Sequence, residues 1–295
     1  MATEEKLREI SWKIDDLFAI GQDEEGRKLL ESAIAEAKDN DAYRLFFEGE
    51  LAHYSGDKET ARDKHSQAVA LNKDDHFLLK NYGVILSMLD RENEAIALYD
   101  QALKIKPDDY HSLRQKGTSL SKLDREEEAI ALFDQALKIK PDDYHSLRQK
   151  GASLSKLDRE EEAIALFDQA LKIKPDNYHS LRQKGVSLSK LDREEEAIAL
   201  FDQALKIKPN DYHSLSNKGA SLFNLGREVE AIALFDQALK IKPDDYHSLR
   251  NKGVSLFNLG NIAEAYKLIR QALDPYLTFS DNFPTKYRFF IKKTQ

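Results

Sequence analysis

Residues 110–141 read YHSLRQKGTSLSKLDREEEAIALFDQALKIKP, and residues 144–175 repeat that string with one change, Ala152 in place of Thr118. Glycines recur at a step of 34 residues, at Gly49, Gly83, Gly117, Gly151, Gly185, Gly219 and Gly253. Five of the seven prolines keep the same step, at Pro107, Pro141, Pro175, Pro209 and Pro243. Chance does not produce such a period, so the chain is built from repeated units.

Each unit predicts two helices. In the first half of residues 110–143, apolar residues recur at helical spacing on the side that carries Gly117, namely Leu113, Leu120 and Leu123. The second half carries a wider apolar stripe, formed by Ala129, Ile130, Phe133, Ala136, Leu137 and Ile139. This pattern indicates an amphipathic helical hairpin.

The residues between the stripes predict where the helices begin and end. Asp124 stands where later units have Gly226 and Gly260, so we expect a left-handed residue after the first helix. The run 126–128 is all glutamate and should open the second helix, at the positive end of the helix dipole. Pro141 ends that helix, and Asp142 or Asp143 should cap the next one.

Small residues in each unit predict close packing. Gly117, Ala129 and Ala136 lack bulk where two helices approach, and Phe133 should fill the gap to a neighbouring unit. One hairpin cannot bury both of its stripes, whereas a row of hairpins forms one continuous core. The prediction is therefore an all-α solenoid.

The pattern resembles the tetratricopeptide repeat, a 34-residue helix–turn–helix unit. The positions that match the family are Leu113, Gly117, Leu120, Ala129, Phe133, Ala136 and Pro141. Leucine replaces the family's first aromatic residue, and Lys116 replaces the large residue before glycine. The resemblance covers about 270 residues and implies a right-handed superhelical solenoid of antiparallel helix pairs.

We expect a solenoid over residues 1–275 with eight units, at about 7–40, 42–75, 76–109, 110–143, 144–177, 178–211, 212–245 and 246–275. The first unit is divergent, with Ile14 and Gly26 out of place and a register shifted by one residue. The second has His65 in place of the aromatic residue. The aromatic segment 276–295 should cap the last unit, with a helix starting near Asn282. The near-identical central units indicate either internal duplication or a consensus sequence.

In this family the first helices line a concave groove that usually holds a partner. Positions 2, 5, 9, 12 and 13 of each unit share one helix face opposite the leucine stripe. The residues on that face are His111, Arg114, Thr118, Ser121 and Lys122, then His145, Arg148, Ala152, Ser155 and Lys156, then His179, Arg182, Val186, Ser189 and Lys190. A basic stripe would favour an acidic peptide or a C-terminal carboxylate. Ordinary solvated side chains, or the copying of one unit, explain the same stripe equally well.

The ends of the groove differ from its centre. Lys80 with Asn81, Asn217, and Arg250 with Asn251 resemble parts of the family's carboxylate clamp, but the clamp asparagine is missing from the central units. Aromatic and amide side chains replace Ser and Lys near the C-terminal end, at Phe223, Asn224, Phe257 and Asn258. Near the N-terminal end stand Tyr43, Phe46, His53 and Tyr54, either as partner anchors or as rings packed on the cap.

Composition excludes several classes of function. The net charge of −7 does not predict nucleic-acid binding, and no segment has the roughly 20 apolar residues of a membrane helix. Without cysteine there is no thiolate metal site or cysteine nucleophile, and no phosphate-binding loop or metalloprotease motif occurs. We expect a cytoplasmic protein without a cofactor, a metal or an enzymatic activity.

The leading hypothesis is therefore a scaffold or adaptor that holds a partner segment in its groove. One alternative is self-association, either end to end or by insertion of the aromatic tail into the groove of a second copy. The tail ends in IKKTQ, so its charge does not match a basic groove, and aromatic docking at Phe223 and Phe257 is the form considered. A further alternative is the regulatory or sensor subunit of a larger complex.

Overall fold

The computed structural model describes residues 3–277, with side chains as far as residue 273, and this part of the chain forms sixteen α-helices and no strand. In chain order they are α1 (Glu4–Ala19), α2 (Asp23–Glu36), α3 (Asp41–Tyr54), α4 (Lys58–Leu71), α5 (His76–Met88), α6 (Glu92–Ile105), α7 (Tyr110–Lys122), α8 (Glu126–Ile139), α9 (Tyr144–Lys156), α10 (Glu160–Ile173), α11 (Tyr178–Lys190), α12 (Glu194–Ile207), α13 (Tyr212–Asn224), α14 (Glu228–Ile241), α15 (Tyr246–Asn258) and α16 (Ile262–Leu277). The chain divides into two compact units, Met1–Ser153 and Leu154–Gln295.

Within each unit the helices pack as antiparallel pairs in chain order. In the first unit each helix from α1 to α7 packs on the helix that follows it. In the second unit the same holds from α10 to α15, and α13 also touches α11 and α15. The predicted all-α solenoid of antiparallel helix pairs is confirmed.

The turn inside each helix pair contains one left-handed residue, as predicted. Asp124 has φ +57°, and the equivalent Asp90, Asp158 and Asp192 have φ of 56–57°. Gly226 and Gly260 occupy the same position with φ +71° and +85°. The chain reverses over three residues because one residue adopts this conformation and the next amide bonds back to the first helix, as from Arg125 N to the Leu120 carbonyl at 3.0 Å.

Aspartate side chains begin the first helices, as the sequence predicts. The Asp109 carboxylate accepts hydrogen bonds from the backbone N–H of Ser112 at 3.0 Å and from its hydroxyl at 2.5 Å. Asp143 caps α9 in the same way through Ser146. Burial raises the pKa of both aspartates. The bonds to serine, together with the charge of Arg114 at Asp143 and of Lys80 at Asp109, outweigh burial and bring each pKa below its ordinary value, so both caps are ionised at neutral pH.

The core of most helix pairs is a glycine covered by a ring, whereas in the last pair Ile269 covers Gly253. A Cβ added to Gly117 would lie 2.8 Å from the Phe133 ring, which is itself fully buried. Tyr99 covers Gly83 and His65 covers Gly49 in the same way. Phe133 thus packs on the first helix of its own pair, in addition to the neighbouring pair's Ile96.

The divergent first pair uses the same contact with the two roles exchanged. Its glycine, Gly26, lies on the second helix, and its ring, Phe18, lies on the first. A Cβ on Gly26 would lie 2.7 Å from the Phe18 ring. This exchange explains why the register of the first unit does not match that of the others.

Two sequence interpretations need correction. Leu123 and Ile139, predicted to belong to the apolar stripes, are 36% and 44% exposed, because Leu123 follows the end of α7 and Ile139 is the last residue of α8. The sequence predicts that the glutamates at 126–128 start the second helix on its outward, solvated side, yet Glu126 is only 4% exposed. Glu92, Glu160 and Glu194 are buried at the same position. The predicted cap at 276–295, including the helix near Asn282, lies outside the described residues except for the end of α16.

Candidate partner-binding groove

Two adjoining cavities lie between the first helices α1, α3, α5 and α7 of the first unit. Their volumes are about 220 and 230 Å³, and they share the side chains of Trp12, Lys80 and His111. We call the two together the N-terminal groove. Each cavity is smaller than the about 300–1,000 Å³ of typical small-molecule sites. Their size suits individual side chains of a peptide.

Trp12 stands between the two cavities and is 51% exposed. It is the one tryptophan of the chain. Glu5, Glu9, Trp12 and Asp15 follow one another at three- or four-residue steps on α1, so they share one face of that helix. Large exposed aromatic side chains are common energetic anchors of protein interfaces.

Lys80 and Asn81 of α5 contribute polar groups that form neither an ion pair nor a hydrogen bond within the described chain. The Lys80 ammonium lies 4.8 Å from the centre of the Phe77 ring, and no carboxylate of the described residues forms an ion pair with it. Burial lowers the pKa of Lys80, and the nearby Arg114 charge lowers it further, whereas Asp109 and Asp15 oppose the shift. The Asn81 Nδ2 group is buried and has no hydrogen-bond partner among the residues described. Such a donor is costly to bury and is satisfied by a ligand or water.

Two carboxylates lie on the other wall of the groove. Asp15 accepts a hydrogen bond of 2.8 Å from the Tyr54 hydroxyl, and the Tyr54 ring stacks on Phe18 with 3.6 Å between ring centres. Loss of hydration, followed by the charge of Glu50, raises the pKa of Asp15 to about 6. A second cation at this wall would therefore relieve an existing repulsion.

His111 lies on the floor of both cavities and is neutral at physiological pH. Burial is the largest cause, and the charges of Lys80 and Arg114 add to it, so that the pKa of His111 falls to about 3. Its ring lies against Tyr110, with 4.0 Å between ring centres. The imidazole adds a hydrogen-bonding group but no charge.

The net charge of the N-terminal groove is negative. Five carboxylates line it, those of Glu5, Glu9, Asp15, Glu50 and Asp109. Four cations line it as well, but Arg8 pairs with Asp75 at 2.9 Å and Arg114 pairs with Asp143 at 3.1 Å. Lys80 and Lys106 therefore face an excess of carboxylates.

The predicted basic stripe is largely used inside the protein. Arg114 donates to both oxygens of Asp143, the cap of α9. In the second unit Arg182 donates in the same way to Asp211, the cap of α13. Each arginine thus joins the first helix of one pair to the cap of the next pair.

Lys122 and Lys190 make a second type of link between pairs. Lys122 Nζ lies 2.6 Å from Glu92 of the preceding pair and donates to the Ser87 carbonyl at 2.8 Å. Lys190 repeats this arrangement with Glu160 at 2.6 Å. The hydroxyls of Ser121, Ser155 and Ser189 donate at 2.8 Å to the second-helix glutamate of their own pair.

The other predicted groove residues are distributed along the first helices. His145 and His179 lie against the preceding tyrosine, and Arg148 and Lys156 also have partners within the chain. Asn224 donates to Glu194 at 2.5 Å, Asn258 to Glu228 at 3.4 Å, and Arg250 to Asn251 at 3.0 Å. Asn217, Phe223 and Phe257 are half-buried, and Phe223 packs beside the Leu222–Phe235 core.

The sequence identified only part of the N-terminal groove. Tyr43 and Phe46, considered as anchors, are fully buried and pack in the core. His53 and Tyr54 line the cavity together with Trp12 and Asp15, which the sequence analysis did not single out. The three- and four-residue spacing of Glu5, Glu9 and Trp12 was the available signal, hidden by the shifted register of the first unit.

A family model described as tetratricopeptide repeat matches residues 89–151, 120–185, 154–219 and 188–253. The chain belongs to the tetratricopeptide repeat family. No curated protein sequence matches it. Members of this family are generally non-catalytic interaction scaffolds.

Several solved structures share the fold of this tetratricopeptide repeat protein. The Cut9–Hcn1 hetero-tetramer of APC/C matches with a TM-score of 0.72 and 15% identity, over 78% of this chain and 46% of that chain, so this chain spans about half of its length. A tetratricopeptide repeat protein from Parabacteroides merdae matches with a TM-score of 0.65 and 16% identity, over 85% and 98% of the two chains. PilW, a type IV pilus biogenesis factor, matches with a TM-score of 0.64 and 22% identity, over 70% of this chain and 95% of that chain.

A metal-binding cluster and a membrane-spanning helix are both missing from residues 3–277 of this tetratricopeptide repeat protein. No group of histidine and carboxylate side chains there is arranged to hold a metal ion. None of the helices in that part of the chain combines the length and the apolar character needed to cross a bilayer.

Proposed function

We propose that this protein is a non-catalytic adaptor that binds a segment of a partner protein in the N-terminal groove. The observation that carries the proposal is Trp12, a half-exposed indole between two cavities whose walls hold uncommitted polar groups. A partner side chain can enter either cavity while its neighbour packs on the indole. The donor of Asn81 and the ammonium of Lys80 would fix its orientation.

An acidic partner was expected from the basic stripe of the central units. A ligand carboxylate at Arg114 or Arg182 has to displace Asp143 or Asp211, which are 5% exposed each. Leaving a buried carboxylate without its cation costs several kcal/mol. This cost favours the N-terminal groove over the central stripe as the main site.

The proposal is tested by selecting peptides from a random 12-residue display library on the full chain. The selected peptides are then measured against Trp12→Ala and against Tyr266→Ala, which removes an exposed ring from α16. We expect binding to be lost with Trp12→Ala and kept with Tyr266→Ala. A library without binders, or binders that tolerate the loss of Trp12, would refute the site. Peptides that are acidic and sensitive to Arg182→Ala would favour the central stripe instead.

A further inference from the structure

The sequence of residues 284–295, PTKYRFFIKKTQ, complements the negatively charged N-terminal groove, because it is basic and aromatic. It carries four cations, Lys286, Arg288, Lys292 and Lys293, and it has no acidic side chain. Three aromatic residues stand between those cations, at Tyr287, Phe289 and Phe290. The segment is therefore basic. Its charge does not match the basic stripe of the central helices, but it does match the negatively charged N-terminal groove.

We propose that the N-terminal groove of one copy binds segment 284–295 of a second copy. This inference rests on the proposed function and names the occupant of the same groove. The segment lies outside the described residues, so its sequence and the geometry of the groove carry the argument.

Three features of the groove favour a basic, aromatic segment. Asp15 and Glu50 lie beside the rings of Trp12 and Tyr54, and carboxylates and aromatic faces both attract a Lys or Arg head group. Glu5 and Glu9 extend the same negative face along α1 and carry no ion pair within the described chain. Burial and the charge of Glu50 raise the pKa of Asp15 to about 6 although Lys80 lowers it, so a further cation beside Asp15 would stabilise its ionised form.

Lys80 and Lys106 set a limit on where the cations of the segment can bind. Lys80 lines both cavities and Lys106 lines the second, so a basic side chain close to either lysine meets repulsion. The cations should therefore lie along α1 and α3, and an aromatic ring should lie toward Lys80, where it can take up a cation–π contact.

The predicted contact is head to tail, because the groove and the segment are different surfaces. Such a contact is repeated by every added copy and forms rings or open chains. The mass in solution should then rise continuously with concentration instead of stopping at a dimer, unless a ring closes.

Sedimentation of the full chain over a hundredfold range of concentration tests the proposal. The tail variant reverses Lys286, Arg288, Lys292 and Lys293 to Glu. The groove variant is Glu5→Lys with Glu9→Lys, two exposed residues on α1. The matched control is Glu127→Lys with Glu161→Lys, which makes the same change of charge on exposed second-helix positions.

We expect the wild type and the control to associate, and the tail and groove variants to associate at least tenfold more weakly. Combining the tail and groove variants should restore association, because the charges are exchanged. Trp12 emission should shift with association in the wild type, since this indole is the sole tryptophan. A constant monomer mass, a control that behaves like the groove variant, or a combination that restores nothing would overturn the proposal.

Trp12 emission distinguishes failure of the tail as occupant from failure of the proposed function. If the tail does not bind but peptides selected from the library still shift Trp12 emission, only the second copy is excluded as occupant. If neither the tail nor any selected peptide affects Trp12, the groove is not a binding site and the proposed function fails as well.

Discussion

The contact between Gly117 and Phe133 predicts a coupling between two substitutions. A Cβ at residue 117 would lie 2.8, 3.0 and 3.1 Å from three atoms of the Phe133 ring, well inside ordinary contact. Overpacking of this kind costs about 1–3 kcal/mol. Alanine in place of glycine inside a helix regains about 0.5–1 kcal/mol. Gly117→Ala should therefore reduce stability by about 1 kcal/mol.

Phe133→Leu removes the two ring atoms nearest to the added methyl group. In that background Gly117→Ala should stabilise by about 0.5–1 kcal/mol, since only the gain in helix propensity remains. The coupling between the two changes is then about 1–3 kcal/mol. Urea unfolding of the four proteins, followed by far-ultraviolet circular dichroism, measures it, and hydrogen exchange of α7 and α8 shows whether the effect is local.

The matched control is Gly226→Ala with Phe235→Leu. A Cβ on Gly226 has no neighbour within 4 Å, so this substitution should cost only the strain of φ +71° and show no coupling. If the effects of Gly117→Ala and Phe133→Leu simply add, the glycine is not there to admit the ring, and the packing argument is wrong.

Three further outcomes are expected. Asp192→Gly should change the free energy of unfolding by less than about 0.5 kcal/mol, whereas Asp192→Val should cost about 1–2 kcal/mol in urea unfolding, because its φ is +57°. Lys190→Met should lower the free energy of unfolding by about 1 kcal/mol in the same assay, because it leaves the buried Glu160 without its cation; the cost is modest because Lys190 itself is 41% exposed. Lys172→Met, at an exposed lysine, is the control, and an equal loss there would contradict the reasoning. The raised pKa of Asp15 means that the folded protein binds the extra proton between about pH 4 and 6, so this group lowers stability as pH rises through that window. Asp15→Asn should therefore stabilise the folded protein by up to about 1 kcal/mol at pH 7, after allowance for solvent exposure. In thermal unfolding at pH 4 it should have no effect. An equal effect at pH 4 and pH 7 excludes the titration of Asp15 as the cause.

The period of the sequence predicted the fold because each helix pair is determined locally. The glycine–ring contact, the left-handed Asp124 and the Asp143 cap all join residues a few turns apart within the pattern that repeats. A single unit therefore contains the information for the hairpin and for its close packing.

The candidate site was harder to predict because its character depends on which neighbour a side chain meets. Spacing placed Arg114 and Lys122 on the correct helix face, but it did not reveal that Asp143 and Glu92 of adjacent pairs would neutralise them. The N-terminal groove lies beside the one pair in which the glycine and the ring exchange places, so the shared register gave no guide to Trp12 or Asp15.

The ion pair between Lys122 and Glu92 recurs between Lys190 and Glu160, and in both cases the lysine follows the glutamate by 30 residues. In such an array each helix pair provides a glutamate that accepts from the lysine of the next pair, and a lysine that donates to the glutamate of the preceding pair. Excision or duplication of exactly one period therefore rejoins a donor to an acceptor and creates no mismatched junction. The length of the array can therefore change in whole steps of 34 residues without any compensating substitution.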